Sequence, residues 1–182
     1  MLIKEKDLNN IKQNKVTLVK NFFTLEKKYD FNLISDLIEQ HEIMVKPRSD
    51  QDYKLIGNFK DVFQMYKVSN HIHELKIFFD FFKKLFRYEI DSRDEVDLFF
   101  NFASQVGISH SDIEDVFIIV LKGKVIYRVF NKNYKDYELN EGDLIYIPRN
   151  FQHKVLALTP RIVASIGFYG ERIYNKNERK NS

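Results

Sequence analysis

The hydrophobic pattern of this chain changes its period near Asp94, and that change most constrains the fold. Before Asp94, apolar residues recur at helical spacing over residues 30–43 and 70–87, and Asp30 is placed to cap the first of these predicted helices. After Asp94, the apolar runs are short, rich in β-branched and aromatic residues, and separated by turn signals such as Lys122-Gly123. These runs cover residues 96–102, 115–121, 124–130, 143–147 and 161–168. Several short strands joined by tight turns predict an antiparallel sandwich or barrel.

The fold class that we expect is therefore mainly β with N-terminal helices, in one domain over residues 1–182. The helical N-terminal part would span residues 1–93, although residues 16–19 are predicted as a short strand. A β-barrel would occupy residues 94–170, and a charged tail would follow over residues 171–182. A chain of this length buries about 70% of the surface that its unfolded form exposes. The 17 Phe and 10 Tyr residues are expected to form much of that core.

The composition excludes several classes of protein. The chain has no Cys, which excludes a disulfide framework, a thiolate zinc site and a cysteine nucleophile. Its 44% hydrophobic content excludes intrinsic disorder. No stretch approaches the ~20 uncharged apolar residues of a membrane helix, and residues 1–7 have no apolar run of signal-peptide length. The net charge of +3 is too small to indicate nucleic-acid binding. We therefore expect a soluble, cytoplasmic protein with no membrane or nucleic-acid partner.

Two histidines and one aspartate form a candidate metal site. Side chains two residues apart on an extended segment point to the same face, so His110 and Asp112 would both face the barrel. A third ligand would be His153, because the strand of residues 143–147 ends at Pro148 and a short turn follows. Two histidines and one carboxylate form the facial triad of non-haem Fe(II) oxygenases, which leaves coordination positions open. His-x-Asp alone arises often by chance, but together with the Gly-x5-Pro-x4-His segment it is more specific.

The segments that carry these residues resemble the JmjC-type, cupin-like Fe(II)/2-oxoglutarate-dependent oxygenases. Residues 110–124 are similar to the first metal-binding hairpin of that family, residues 142–153 to its second metal-binding segment, and residues 165–168 to the strand that follows. The resemblance implies a double-stranded β-helix (cupin or jelly-roll) barrel. It also implies an iron-dependent dioxygenase, an oxidoreductase that hydroxylates its substrate with 2-oxoglutarate as cosubstrate. The iron ligands, and thus the catalytic residues, would be His110, Asp112 and His153.

One position departs from the family pattern and bears on the cosubstrate. Family members usually carry a Lys or Arg two residues after the hairpin glycine, where it pairs with the distal carboxylate of 2-oxoglutarate. In this sequence that position is Val125. A buried carboxylate without a cation is unfavourable, so another side chain must neutralise it. The candidates are Lys124, Arg128 and Arg161, with Tyr127 as a neutral hydrogen-bond donor. Strand alternation places Lys124 and Arg128 on the face opposite Val125 and Tyr127.

Two further functions stay open at this point. Val125 favours a metal-dependent cupin enzyme that does not use 2-oxoglutarate. The other is a non-catalytic cupin module whose barrel binds a ligand. The substrate is expected to be a protein or a small molecule, and the sequence does not choose between them. Because the Phe-rich helix of residues 70–87 offers more apolar surface than a small barrel would cover, we also expect a homodimer.

Overall fold

Helices and strands alternate in the first half of the chain, and the described part of the second half consists mainly of strands joined by turns. The computed structural model describes residues 3–24, 29–41, 45–47 and 62–173. The helices are α1 (Glu5–Lys12), α2 (Phe31–His41) and α3 (His73–Phe86), and a short 3-10 helix, Val68–Asn70, precedes α3. The strands in chain order are β1 (Thr17–Val19), β2 (Val45–Pro47), β3 (Phe63–Met65), β4 (Glu95–Asn101), β5 (Gln105–Val106), β6 (Asp115–Lys122), β7 (Val125–Asn131), β8 (Asn133–Leu139), β9 (Leu144–Ile147), β10 (His153–Ala157) and β11 (Arg161–Phe168).

The strands form two antiparallel sheets. The larger sheet has seven strands in the order β1-β9-β6-β11-β4-β3-β2, and the smaller has four in the order β5-β10-β7-β8. Strands that neighbour each other in a sheet are mostly distant along the chain, as in the pair of β11 with β4. The predicted mainly-β class and its antiparallel sandwich are confirmed.

Alternate residues of the central strands face two different cores. In β6, Phe117 and Ile119 pack in the core between the larger sheet and the helices. Their neighbours Ile118 and Val120 pack in a second core, which also contains Tyr127 from the smaller sheet. Because successive side chains of a strand point to opposite faces, a strand buried on both faces must be apolar throughout. This explains why β6 is a continuous hydrophobic run.

Helix α3 covers the outer face of the larger sheet with its aromatic side chains. Phe82 is fully buried, and its ring stacks on that of Phe117 with the ring centroids 4.3 Å apart. Phe78 and Phe86 lie on the same side of the helix and are also buried. The apolar stripe that suggested a homodimer is therefore used inside the molecule, and the reason given for that expectation is wrong. Dimer formation itself stays a prediction.

The N-terminal part differs from the expected set of helices. It contributes β1, β2 and β3 to the larger sheet, and of these only β1 was predicted. Asp30 caps α2 as expected, because its carboxylate accepts hydrogen bonds from the amides of Asn32 and Leu33 at 3.1 and 3.2 Å. Residues 42–43 of the predicted helix, and the tail after residue 173, lie outside the described residues. The single-domain division stays a prediction.

None of the described helices is both long enough and apolar enough to cross a bilayer.

Candidate metal centre

Main-chain hydrogen bonds bring the three predicted ligands together. His110 and Asp112 lie between β5 and β6, and His153 is the first residue of β10. The amide of His110 donates to the carbonyl oxygen of His153 at 2.9 Å, and the amide of His153 donates to the carbonyl oxygen of His110 at 2.7 Å. The amide of Asn150 donates to the carbonyl oxygen of Asp112 at 2.7 Å. The two segments are thus joined through their backbones.

The potential ligand atoms of the three side chains converge. One atom from each side chain lies within 4.8 Å of the other two. Nε2 of His110 is 3.7 Å from Oδ1 of Asp112, and Nε2 of His153 is 3.5 Å from Oδ2 of the same carboxylate. These distances are too long for good hydrogen bonds. Two ligand atoms on opposite sides of one ion, with bonds of about 2.1 Å, are ~4.2 Å apart. Both distances are shorter than this limit, so a single ion could bind both atoms of each pair.

The ring nitrogens indicate which histidine atoms are available to a metal. Nδ1 of His110 lies 3.0 Å from the carbonyl oxygen of Ile108, and Nδ1 of His153 lies 3.0 Å from that of Phe151. A carbonyl oxygen can only accept, so we assign the ring proton to Nδ1 and the lone pair to Nε2 in both histidines. Two Nε2 lone pairs and the Asp112 carboxylate then face one another. A divalent transition-metal ion fits this set of two nitrogens and one oxygen.

These side chains line a pocket of about 760 Å³ between the two sheets. The His153 side chain is almost completely buried at 3% exposure, whereas those of Asp112 and His110 are 21% and 31% exposed. The metal site therefore has one protected side and one side that is open to the pocket. Such a site can hold an ion and still admit a second molecule.

Arg161 carries the only Lys or Arg side chain among the described residues that line this pocket. It is 4% exposed, and its Nε donates to Oδ1 of Asn101 at 2.8 Å. The start of β11 lies against the β6–β7 turn: a Cβ added at Gly123 would be 3.2 Å from the Cα of Arg161. A buried guanidinium at the wall of a pocket is suited to bind a carboxylate through two parallel hydrogen bonds.

The other predicted cosubstrate residues lie in two different places. Tyr127 lines the pocket at 4% exposure, with its ring centroid 6.3 Å from that of His153. Lys124 and Arg128 are not among the lining residues, and they form ion pairs with Glu138 and Asp136 across the β7–β8 hairpin at 2.6 and 2.7 Å. Both cations lie on the outer face of the smaller sheet because they alternate with the inward Val125 and Tyr127. Their proposed contact with a cosubstrate is therefore wrong.

A second group of pocket residues is acidic and was not predicted from the sequence. Glu95 and Asp97 of β4 and Glu114 before β6 line the pocket. Burial raises the pKa of Glu114, and the nearby Asp112 raises it further. Burial, with Glu114 and Glu95 close by, raises the pKa of Tyr169 to about 12. The available signal was the placement of two acids at alternate positions in an apolar strand, which would direct both to one face.

Residues 129–175 match the family model of the JmjC domain. The resemblance to the JmjC family is confirmed. This match includes His153 and Arg161 and ends two residues beyond the described chain. A search among curated proteins found no match.

Two proteins are among those whose solved structures share the fold. One is YcfD, a ribosomal oxygenase from Escherichia coli, with a TM-score of 0.73 and 21% identity over 98% of this chain and 54% of YcfD. YcfD in complex with cobalt and 2-oxoglutarate has a TM-score of 0.68 and 21% identity over 91% of this chain and 51% of YcfD. The other is SnoN, a non-haem α-ketoglutarate-dependent epimerase from nogalamycin biosynthesis, with a TM-score of 0.65 and 10% identity over 90% of this chain and 81% of SnoN. The chain thus shares the jelly-roll fold of these structures and spans about half the length of YcfD.

Proposed function

We propose that this chain is an Fe(II)- and 2-oxoglutarate-dependent oxygenase in which His110, Asp112 and His153 hold the iron. The observation that carries the proposal is that one ligand atom from each of the two histidines and one carboxylate oxygen lie within 4.8 Å of one another, at the wall of a pocket. Three protein ligands leave part of an octahedral coordination sphere for other molecules. When bound, the metal would supply the oxidising chemistry, with 2-oxoglutarate as the electron donor.

Arg161 is the residue that we propose binds the distal carboxylate of 2-oxoglutarate. It replaces the basic residue expected at position 125, which is occupied by a fully buried valine. Support comes from its burial, from its place in the pocket and from the contact between the start of β11 and the β6–β7 turn that precedes Val125. Tyr127 lines the same pocket and would donate a hydrogen bond through its hydroxyl. The remaining apolar wall would exclude water from the reacting groups.

The choice of cosubstrate is also supported by what is known of the two structural relatives. YcfD has been crystallised with cobalt and 2-oxoglutarate, and SnoN is described as α-ketoglutarate dependent. Both likenesses are of fold, at identities of 21% and 10%. The substrate is proposed to be a protein or a small molecule.

Anaerobic spectroscopy tests the proposal directly. Addition of Fe(II) and 2-oxoglutarate to the protein without oxygen should produce a weak visible charge-transfer band. The double variant H110A/H153A should give no band and should lose bound metal, because only one of the three ligands remains. Conversion of 2-oxoglutarate to succinate in air, with peptide, nucleotide and metabolite panels, would then identify the substrate.

A cupin enzyme that does not use 2-oxoglutarate is the second candidate, and the apolar Val125 favours it. Iron binding by the wild-type protein without the visible band would support this second candidate against the first. Retention of metal by H110A/H153A would contradict both.

A further inference from the structure

The turn between β9 and β10 makes contacts that neither the proposed metal ligands nor the pocket explains. This turn contains Arg149, which is not among the pocket-lining residues. Its guanidinium reaches three successive carbonyl oxygens at the end of β11. Nη2 donates to Gly170 at 2.8 Å and to Phe168 at 3.3 Å, and Nη1 donates to Tyr169 at 3.3 Å. One side chain therefore connects the turn to the segment that follows β11.

The main chain of Arg149 makes a second connection, to the start of β6. Its amide donates to Oδ1 of Asp115 at 3.0 Å. The other oxygen of Asp115 accepts a hydrogen bond from the Tyr88 hydroxyl at 2.8 Å and lies 3.4 Å from Nη2 of Arg172. Asp115 is 4% exposed, so these contacts hold a buried carboxylate in place. The turn is thereby joined to a buried, hydrogen-bonded carboxylate at the start of β6.

Arg172 anchors this arrangement from the opposite side. Its side chain is 1% exposed, and its three nitrogens donate to the Tyr88 hydroxyl at 2.8 Å, the Ile11 carbonyl oxygen at 2.6 Å and the Tyr146 hydroxyl at 2.5 Å. The guanidinium also lies within about 5 Å of the ring centroids of Tyr88 and Tyr146. Arg172 is thus bound to groups from α1, from β9 and from the segment after α3, and it connects Asp115 to them.

The turn that Arg149 holds is connected to the proposed metal site through one residue. Asn150 adopts a left-handed conformation with φ of 66°. From this position its amide donates to the carbonyl oxygen of Asp112 at 2.7 Å. If the turn moved, Asp112 would lose this contact and its carboxylate would shift relative to His153. The position of the carboxylate thus depends on a turn that is held from outside the pocket.

We propose that Arg149 is a positioning residue for the metal site. It fixes the turn at Asn150 between Asp115 and the end of β11, and this turn sets the distance between Asp112 and His153. The inference rests on the proposed metal site and adds to it a residue that touches neither metal nor pocket.

Cobalt binding to the purified wild-type and variant proteins tests the proposal. Co(II) titration followed by its visible absorption should show at least tenfold weaker binding for Arg149→Gln, the lower end of the range for residues that orient metal ligands. Arg149→Lys should restore part of the affinity, because its ammonium group can still donate to a carbonyl oxygen. Lys76→Gln, which removes an exposed cation of α3 paired with Asp80, is the matched control and should bind like the wild type.

Hydrogen exchange of the Asn150 amide, measured by NMR without metal, gives a second and independent result. We expect faster exchange at Asn150 in Arg149→Gln while the core strands keep their protection. Wild-type Co(II) affinity in Arg149→Gln, or equally faster exchange throughout the protein, would overturn the inference. Failure of the wild-type protein to bind Co(II) would instead contradict the proposed function, and the exchange of the Asn150 amide would still test the role of Arg149 in holding the turn.

Discussion

At the scale of single residues, the position of one cation distinguishes this pocket from the pattern that its sequence resembles. The expected basic residue would lie on β7, but the pocket instead contains Arg161 at the start of β11. Arg161 lines the pocket, Val125 is buried in the core between the two sheets, and the Cα of Arg161 lies close to the β6–β7 turn that precedes Val125. A carboxylate can therefore meet a positive charge at this end of the pocket even though position 125 is apolar.

Replacement of this cation should weaken cosubstrate binding without loss of metal. We expect Arg161→Gln to bind 2-oxoglutarate about 10- to 100-fold more weakly, because a hydrogen bond to a charged group contributes about 1.5–3 kcal/mol. Titration of the visible band of the Fe(II) complex measures this affinity. Arg128→Gln is the control, since its guanidinium pairs with Asp136 on the outer face. Equal loss of affinity in both variants would contradict the assignment of Arg161.

The acidic residues of the pocket should make the stability of the metal-free protein depend on pH. Burial, then the neighbouring Asp97, raises the pKa of Glu95, and Lys67 partly opposes this rise. Since the folded pKa exceeds the unfolded one, stability falls as pH rises through the interval between them. We expect Glu95→Gln to raise the free energy of unfolding at pH 7, with the difference vanishing well below pH ~4.3, the usual Glu value. Urea unfolding at both pH values tests this, with the exposed Glu39→Gln as control; a gain that persists at low pH would contradict it.

At the scale of elements, the contact of α3 with the larger sheet is the main packing interaction of the helical layer. The Phe82 ring contacts that of Phe117 on β6 as well as those of Phe22 and Phe86. We expect Phe82→Ala to lower the free energy of unfolding by about 3–5 kcal/mol, the usual effect of removing a buried aromatic ring. Chemical denaturation would measure the change. Ile77→Ala on the same helix should have an effect below about 1 kcal/mol, because Ile77 is 49% exposed.

Strands buried on both faces were predictable from the sequence, whereas exposed strands were not. The apolar runs of β6, β9 and β11 follow from their position between two cores. Strand β8 is mostly exposed, and polar and charged residues separate its two tyrosines and its final leucine, so no apolar run marks it. It exists because its backbone pairs with β7 along seven residues. Local sequence does not encode such pairing, since the information lies in the partner strand.

In the candidate site, too, some residues could be predicted from the sequence and others could not. His110, Asp112 and His153 could be predicted together because their spacing follows from strand alternation and from the Gly-Pro segment. Arg161 was one of three cations under consideration. Strand alternation already places Lys124 and Arg128 on the opposite face, but only the tertiary arrangement shows that Arg161 lines the pocket. The contacts of Arg149 were not predictable, because they join segments that meet only in the folded chain.

At the scale of the whole molecule, metal binding should be coupled to stability. A ligand that binds only the folded state adds about 2.7 kcal/mol at 100 times its Kd. For a chain of this size that corresponds to a rise of about 5–10 °C in Tm. Thermal unfolding with Co(II) should show this rise in the wild-type protein and not in H110A/H153A. An equal rise in both proteins would indicate binding elsewhere and contradict the proposed site.

The buried Arg172 affects the order in which this chain can fold as it is made. Its guanidinium connects a carbonyl group of α1 with hydroxyl groups from Tyr88 and Tyr146, and residue 11 is synthesised long before residue 172. Chains fold while they emerge from the ribosome, N-terminal segments first. The first helix and the start of β6 therefore gain this buried partner only after residue 172 has been synthesised, and the contacts of Asp115 next to the metal-site turn are completed only then.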